Sequence, residues 1–112
     1  MELRHTHCGT ADTYKAYKRF FTTLASEPRL RILNLLREGP MHVNSIIDEV
    51  GLDQPTVSHN LARLRECGFV TSHRRGRNIE YRINEETITP ILELIDSHME
   101  VHCLRIVRAL GS

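Results

Sequence analysis

The chain has 112 residues, about the length of one domain. With 40% hydrophobic and 26% charged residues it is globular rather than disordered, and no run of about 18 apolar residues is present to span a membrane. Net charge is +1, and the three widely spaced cysteines (Cys8, Cys67 and Cys103) exclude a disulfide scaffold. The first dozen residues carry no apolar signal-peptide segment, so the expected location is the cytoplasm, with reduced thiols.

The low net charge hides an uneven distribution. Residues 53–82 hold six arginines against Asp53, Glu66 and Glu80. Residues 84–100 hold five acids (Glu85, Glu86, Glu93, Asp96 and Glu100) and no lysine or arginine. Thirteen of the fifteen Lys and Arg residues are arginine, whose planar fork suits phosphate and guanine.

Residues 1–11 read as an N-terminal arm containing His5, His7 and Cys8. Asp12 is placed to cap a first helix over 12–25, where Tyr14, Tyr17, Phe20, Phe21 and Leu24 recur at helical spacing. Ser26-Glu27-Pro28 is a break and restart, because proline is at home in a first helical turn. Leu30, Ile32, Leu33, Leu35 and Leu36 then form a broad apolar face that ends at Gly39-Pro40. A short helix from about residue 44 to 50 turns Ile46, Ile47 and Val50 inward, and Gly51 stops it. Asp53 caps the next helix, with Pro55 in its first turn and Val57, Leu61 and Leu64 on its core side.

At Gly68 the apolar period changes from helical to alternating. "FVTSHRR" and "NIEYRI" predict a β-hairpin over 69–83 with Gly76 at its tip. Thr89-Pro90 reads as a cap and first-turn proline for a last helix over 90–110. That helix is apolar on more than one side, through Ile91, Ile95 and Ile106 and through Leu94, Val101, Leu104 and Val107. A helix wet on one side needs a single stripe, so the pattern predicts a second surface, most simply a partner chain.

Residues 44–67 are two helices joined by a short glycine-containing turn, followed at once by a hairpin. This is a helix-turn-helix with a wing, a mainly α fold of about five helices and a two-stranded β-hairpin in a single domain over 1–112. A reading helix enters the major groove with its N-terminal residues on base edges. Here Gln54, Thr56, Ser58, His59 and Asn60 are all hydrogen-bonding side chains, with Arg63 further along. Gln and Asn can read adenine, and the Thr56 methyl suits thymine. Arg74, Arg75 and Arg77 surround the hairpin tip, suited to phosphates or a minor groove. A protein-binding winged helix is the competing reading. It predicts binding with little salt dependence, whereas DNA binding predicts a steep fall with salt. No nucleophile has an obvious base and no glycine-rich phosphate loop precedes a helix, so an enzyme is not expected.

"LASEPRLRILNLLREGP", "VGLDQPTVSHNLARLRECGFV" and "RRGRNIEYRI" together resemble the ArsR/SmtB family of winged-helix regulators. The resemblance covers roughly residues 24–83, with matching spacings. It implies a homodimer built from the first and last helices, and a repressor that leaves double-stranded DNA when an inducer, usually a metal ion, binds. It places Gln54, Thr56, Ser58 and His59 on the family's recognition-helix contacts and residues 75–78 on its wing. The operator of such a dimer is expected to be an imperfect inverted repeat.

The chain departs from the family where metals bind. Many relatives carry a Cys-Val-Cys box at the start of the short helix; here the positions read His42-Val43-Asn44, which argues against a thiolate site of that type. Others bind metal between the last helices of the dimer. Of those four positions, Glu85 and His98 remain able to ligate, Thr87 and Val101 do not, and His102 lies one residue past the fourth. His98 and His102 are four apart, about 40° around a helix, and can share one ion. Cys103 lies about 100° further round from His102 and would have to recruit ligands from elsewhere. The proposed site or sites therefore join His98, His102 and Cys103 to His5, His7 and Cys8, with zinc, nickel, cobalt or copper(I) as the inducing ion. The alternatives are a thiol-based redox or persulfide-responsive repressor using Cys8 and Cys103, and a regulator with no small inducer.

Overall fold

A computed structural model describes residues 10–111. Thr10, not Asp12, caps α1 (Ala11–Leu24): its hydroxyl accepts from the Thr13 amide at 3.1 Å, and Asp12 sits in the first turn. A carboxylate there still favours the helix, because the N-terminus carries the positive end of the helix dipole. α2 (Glu27–Leu36) starts at Ser26, whose hydroxyl accepts from the Arg29 amide at 3.4 Å, with Pro28 in the first turn.

β1 (Met41–His42) precedes α3 (Val43–Val50), which Gly51 ends in the left-handed conformation at φ +70°. α4 (Gln54–Glu66) follows, capped by Asp53. β2 (Val70–Arg75) and β3 (Asn78–Ile83) form the hairpin, and its turn is Gly76-Arg77 with Gly76 at φ +64°. A glycine at the first turn position carries the positive φ that a two-residue hairpin needs, so the strands stay in register from Val70↔Ile83 to Arg75↔Asn78.

The sheet has three antiparallel strands rather than two, in the order β1-β3-β2. β1 pairs Met41 with Tyr81 and His42 with Glu80. Two residues are too few to display a strand period, so the sequence pattern does not reveal this strand.

The last helix also differs from expectation. Asn84, rather than Thr89, organises its start. The Asn84 Oδ1 accepts from the Glu86 and Thr87 amides at 3.1 and 3.2 Å, its Nδ2 donates to the Gly68 carbonyl at 3.0 Å, and its carbonyl accepts from Ile88 and Thr89. α5 (Ile88–His102) therefore begins earlier than residue 90 and encloses Thr89, whose buried hydroxyl has no partner among the described residues. At Cys103 the backbone leaves regular helix geometry, and α6 (Leu104–Ala109) follows. Bonds on both sides survive, Cys103 N–H to Met99 O at 2.9 Å and Val107 N–H to Cys103 O at 3.1 Å.

The core lies between α2, α3, α4 and the sheet. Ile32, Leu33 and Leu36, Ile46, Val57, Leu61 and Leu64, and Phe69, Val70 and Ile83 are buried together, with Ile88 and Leu92 of α5 closing one end. α1 joins through Phe20, whose ring centroid is 5.0 Å from that of Phe69. Arg37 at the end of α2 pairs with Asp96 of α5 at 2.8 Å. Among the described residues, no helix is long and apolar enough to cross a membrane.

Candidate functional site

The start of α4 is fixed by one carboxylate. Asp53 Oδ1 accepts from the Thr56 hydroxyl at 2.6 Å and Oδ2 accepts from the Thr56 amide at 3.3 Å. The Thr56 side-chain bond, helped by the amide, holds the Asp53 carboxyl below its ordinary value. The Thr56 hydroxyl hydrogen is thus committed inside its own chain, which leaves the oxygen as an acceptor and the methyl as the groups it can present.

Val57, Leu61 and Leu64 are fully buried, and this fixes which face of α4 looks outward. Gln54 is exposed at the first position of the helix, and Ser58 and His59 lie on that face and are exposed. Asn60 does not: it is 7% exposed, its Nδ2 donates to the Thr56 carbonyl at 2.9 Å and its Oδ1 accepts from Arg29 Nη1 at 3.0 Å. Arg63 is also turned inward, its Nε donating to the Thr23 hydroxyl at 2.9 Å. Arg65, absent from the residues expected at the DNA surface, is exposed and donates to the Ser72 hydroxyl at 3.3 Å. It follows Ser58 by seven residues, two helical turns, and that spacing is the signal that identifies it.

Arg74, Arg75 and Arg77 are exposed on the hairpin. Arg75 and Arg82 both reach Glu80 Oε1 from Nε, at 3.4 and 3.0 Å. Burial pushes the Glu80 carboxyl up, but Arg82 and Arg75 outweigh it and hold the group below the ordinary carboxylate range. Glu80 thereby ties Arg75 of β2 to Arg82 of β3 within the wing. The outward face of α4 and the arginine-bearing hairpin, bridged by Arg65 and Ser72, form one polar surface.

The second constellation lies at the other end of the chain. The His98 and His102 rings are adjacent, with centroids 4.6 Å apart and planes at 33°. Both are exposed, as is Cys103 at the break between α5 and α6. Glu85 lies in the turn before α5 and is separated from His98 by the rise of about ten helical residues, about 15 Å. It cannot join the histidine pair of its own chain. Among the described residues, no group of three or more His, Cys, Asp or Glu side chains is placed to hold a metal. His5, His7 and Cys8 lie outside the described residues.

A third cysteine takes part in the interior. Cys67, at the end of α4, is half-buried with its Sγ 3.3 Å from the Thr23 hydroxyl. Burial pushes its thiol up, but Thr23, Arg19 and Arg63 together bring it below the ordinary thiol value.

The sequence profile for bacterial regulatory proteins of the arsR family matches residues 26–72, which run from the cap of α2 into β2. The chain belongs to this family. It is 38% identical over 77 residues to the HTH-type transcriptional regulator NmtR of Mycobacterium tuberculosis, covering 69% of this chain and 64% of that one. It is 30% identical over 76 residues to the "Probable mercury resistance operon repressor" of Streptomyces lividans, covering 68% and 61%. The chain thus spans somewhat less than two thirds of the length of these two relatives. The solution structure of a homodimeric winged helix-turn-helix DNA-binding domain from Mycobacterium bovis superposes with a TM-score of 0.76 at 29% identity, covering 88% of this chain and 94% of that one. The described residues of this arsR-family chain accordingly carry the winged helix-turn-helix fold.

Proposed function

We propose that the protein is a homodimeric repressor that reads an imperfect inverted repeat in double-stranded DNA and leaves it when a transition metal ion binds. The observation that carries the DNA-binding reading is the continuous surface of Gln54, Ser58, His59 and Arg65 beside the Arg74 and Arg77 wing. These side chains are exposed while the opposite face of α4 is packed into the core. In a dimer the two reading helices would sit about 34–36 Å apart, one DNA turn. Exposed apolar residues support dimerisation through the first and last helices: Tyr14, Tyr17 and Phe21 of α1, Leu94 and Val101 of α5, and Ile106 of α6. Isolated exposure of one such residue is ordinary, but a set confined to two ends of the chain marks a contact surface.

His98 and His102 supply two imidazoles on one side of α5, the arrangement a shared ion requires. Cys103 and the segment containing His5, His7 and Cys8, or a partner chain, would complete the shell, and Glu85 could contribute only from a partner. Zinc, nickel, cobalt or copper(I) fit this donor set. Binding there would bias the dimer toward a geometry in which the readers no longer match the operator spacing. A coupling of about 1–3 kcal/mol would change DNA affinity about 5- to 150-fold.

Two measurements test this. Affinity for duplex DNA is expected to fall steeply with salt, by about 0.9 log units per log unit for each phosphate neutralised. A flat dependence would favour a protein-binding winged helix. An anaerobic cobalt(II) titration of the reduced protein is expected to saturate, and the His98→Ala, His102→Ala double variant is expected to lose both binding and release from DNA. Cys103 is exposed at a helix break, which favours a second reading: a redox response that links it to Cys8. Absence of saturable cobalt binding, with release on oxidation, would support that reading instead.

A further inference from the structure

Behind the reading face, the end of α1, the start of α2 and the buried side of α4 are tied by side-chain hydrogen bonds that the DNA-contact role leaves unused. Arg29 is their centre. Its Nε donates to the Thr23 carbonyl at 2.6 Å and its Nη2 to the Thr22 carbonyl at 3.2 Å, so it serves carbonyls in the last turn of α1 that have no helical partner ahead. Its Nη1 donates to Asn60 Oδ1 at 3.0 Å. Asn60 Nδ2 donates to the Thr56 carbonyl at 2.9 Å, and this fixes the amide so that oxygen, not nitrogen, meets the guanidinium. Thr23 is fully buried, and its hydroxyl accepts from Arg63 Nε at 2.9 Å and meets Cys67 Sγ at 3.3 Å. The last turn of α1 is therefore held to α4 at Asn60, at Arg63 and at the Cys67 terminus. Burial, with Arg63 alongside, lowers the Arg29 guanidinium from its usual value.

We infer that Arg29, through Asn60, is a positioning residue that sets the angle of the reading helix against α1, and so sets the half-site spacing the dimer accepts. The inference rests on the homodimeric repressor reading above, in which α1 belongs to the dimer contact. α4 has 13 residues and is about 20 Å long. A tilt of about 10° at one end moves the other by about 3 Å, close to the 3.4 Å rise of one base pair. A small angular error at the α1–α4 junction is thus enough to misplace the two readers by one step. Apolar packing of Val57, Leu61 and Leu64 resists translation of α4, but directional bonds are better suited to fix its rotation.

The test begins with duplexes enriched by the unaltered protein from a random pool, then remade with the half-site spacing lengthened or shortened by one base pair. The unaltered protein is expected to prefer the parent spacing by about tenfold or more. Arg29→Gln is expected to bring that preference toward unity, leaving self-association and the affinity for unrelated duplex unchanged. Asn60→Leu should do the same. Asn60→Asp keeps an acceptor for Arg29 and is expected to retain the preference, which separates positioning from a general loss of packing. Full spacing preference in Arg29→Gln and Asn60→Leu would overturn this inference alone. Equal loss in Asn60→Asp and Asn60→Leu would place the effect in packing or in the Asn60 bond to the Thr56 carbonyl rather than in Arg29, and would also overturn it. Failure of the unaltered protein to enrich any duplex would overturn the repressor reading, and this inference with it.

Discussion

α4 buries Val57, Asn60, Leu61 and Leu64, whereas α6 buries none of its residues and α5 only Ile88 and Leu92 near its start. The two regions solve the same problem differently. α4 finds every apolar neighbour it needs within its own chain and presents a polar face outward. Beyond Leu92, α5 and α6 keep Leu94, Val101, Leu104, Ile106 and Val107 exposed, and Leu110 follows exposed at the end of α6. A cavity of about 390 Å3 between α1, α2 and α5 is lined by Phe21, Leu24, Leu30, Leu92, Ile95 and Met99. The reading end is thus organised by the single chain, and the far end leaves exposed the apolar surface that a second chain would cover in the proposed dimer.

The sharpest way to break this contrast is to remove one large side chain from each region. Phe69 is 1% exposed and Ile106 is 59% exposed. Phe69→Ala is expected to cost about 3–5 kcal/mol of folding stability, the sum of lost transfer energy and a residual cavity. Ile106→Ala is expected to leave unfolding at low protein concentration within about 0.5 kcal/mol of the parent, and to weaken self-association. Denaturant unfolding at two concentrations with sedimentation equilibrium separates the effects, because the stability of a dimer depends on concentration. Equal losses at low concentration would show that the far end is core.

Within the reading end, the two arginines of α4 sharpen the comparison. Arg65 faces outward and Arg63 is bonded to buried Thr23. Arg65→Ala is expected to weaken DNA binding by about 1–3 kcal/mol if it reads a base, or to lower the salt slope by about one if it meets a phosphate. Its thermal midpoint should not move. Arg63→Ala is expected to lower stability first, by about 1 kcal/mol for the lost hydrogen bond. Fluorescence anisotropy and thermal melts on the same samples distinguish the pair. Identical behaviour would mean that both arginines face DNA.

Residue spacing alone exposes much of this. The glycine stops at Gly51 and Gly68, the Asp53 cap and the hairpin around Gly76 all depend on local backbone preferences, so local sequence carries them. The inward turn of Asn60 is different in kind. A polar residue in a polar run reads as exposed, and only the tertiary approach of Arg29, 31 positions earlier, supplies the partner that permits its burial. The inward turn of Arg63 has the same cause, since its partner Thr23 is 40 positions away. β1 is too short to show a period, and the distortion at Cys103 leaves no mark in the apolar pattern. His98 and His102 are legible as a pair because their meeting depends only on helix geometry, while any further ligand depends on how chains or segments come together.

The smallest expected effect concerns the cap that starts the reading helix. Asp53 donates nothing and accepts twice from Thr56, and the folded carboxyl lies below its ordinary value because those bonds favour the charged form. A carboxyl depressed in the folded state contributes stability that is fully present above its unfolded pKa, about 3.9, and is lost as pH falls through the lower folded value. Asparagine also caps helices but carries no charge to lose. The thermal midpoint of the parent relative to Asp53→Asn is therefore expected to be constant above about pH 5 and to shrink on further acidification. A difference that stays constant down to pH 2 would mean that the Asp53 charge adds nothing to the start of α4. The exposed end of the chain offers a contrast, because α6 starts at Cys103 without a side-chain cap and has no acidic residue in its first turn.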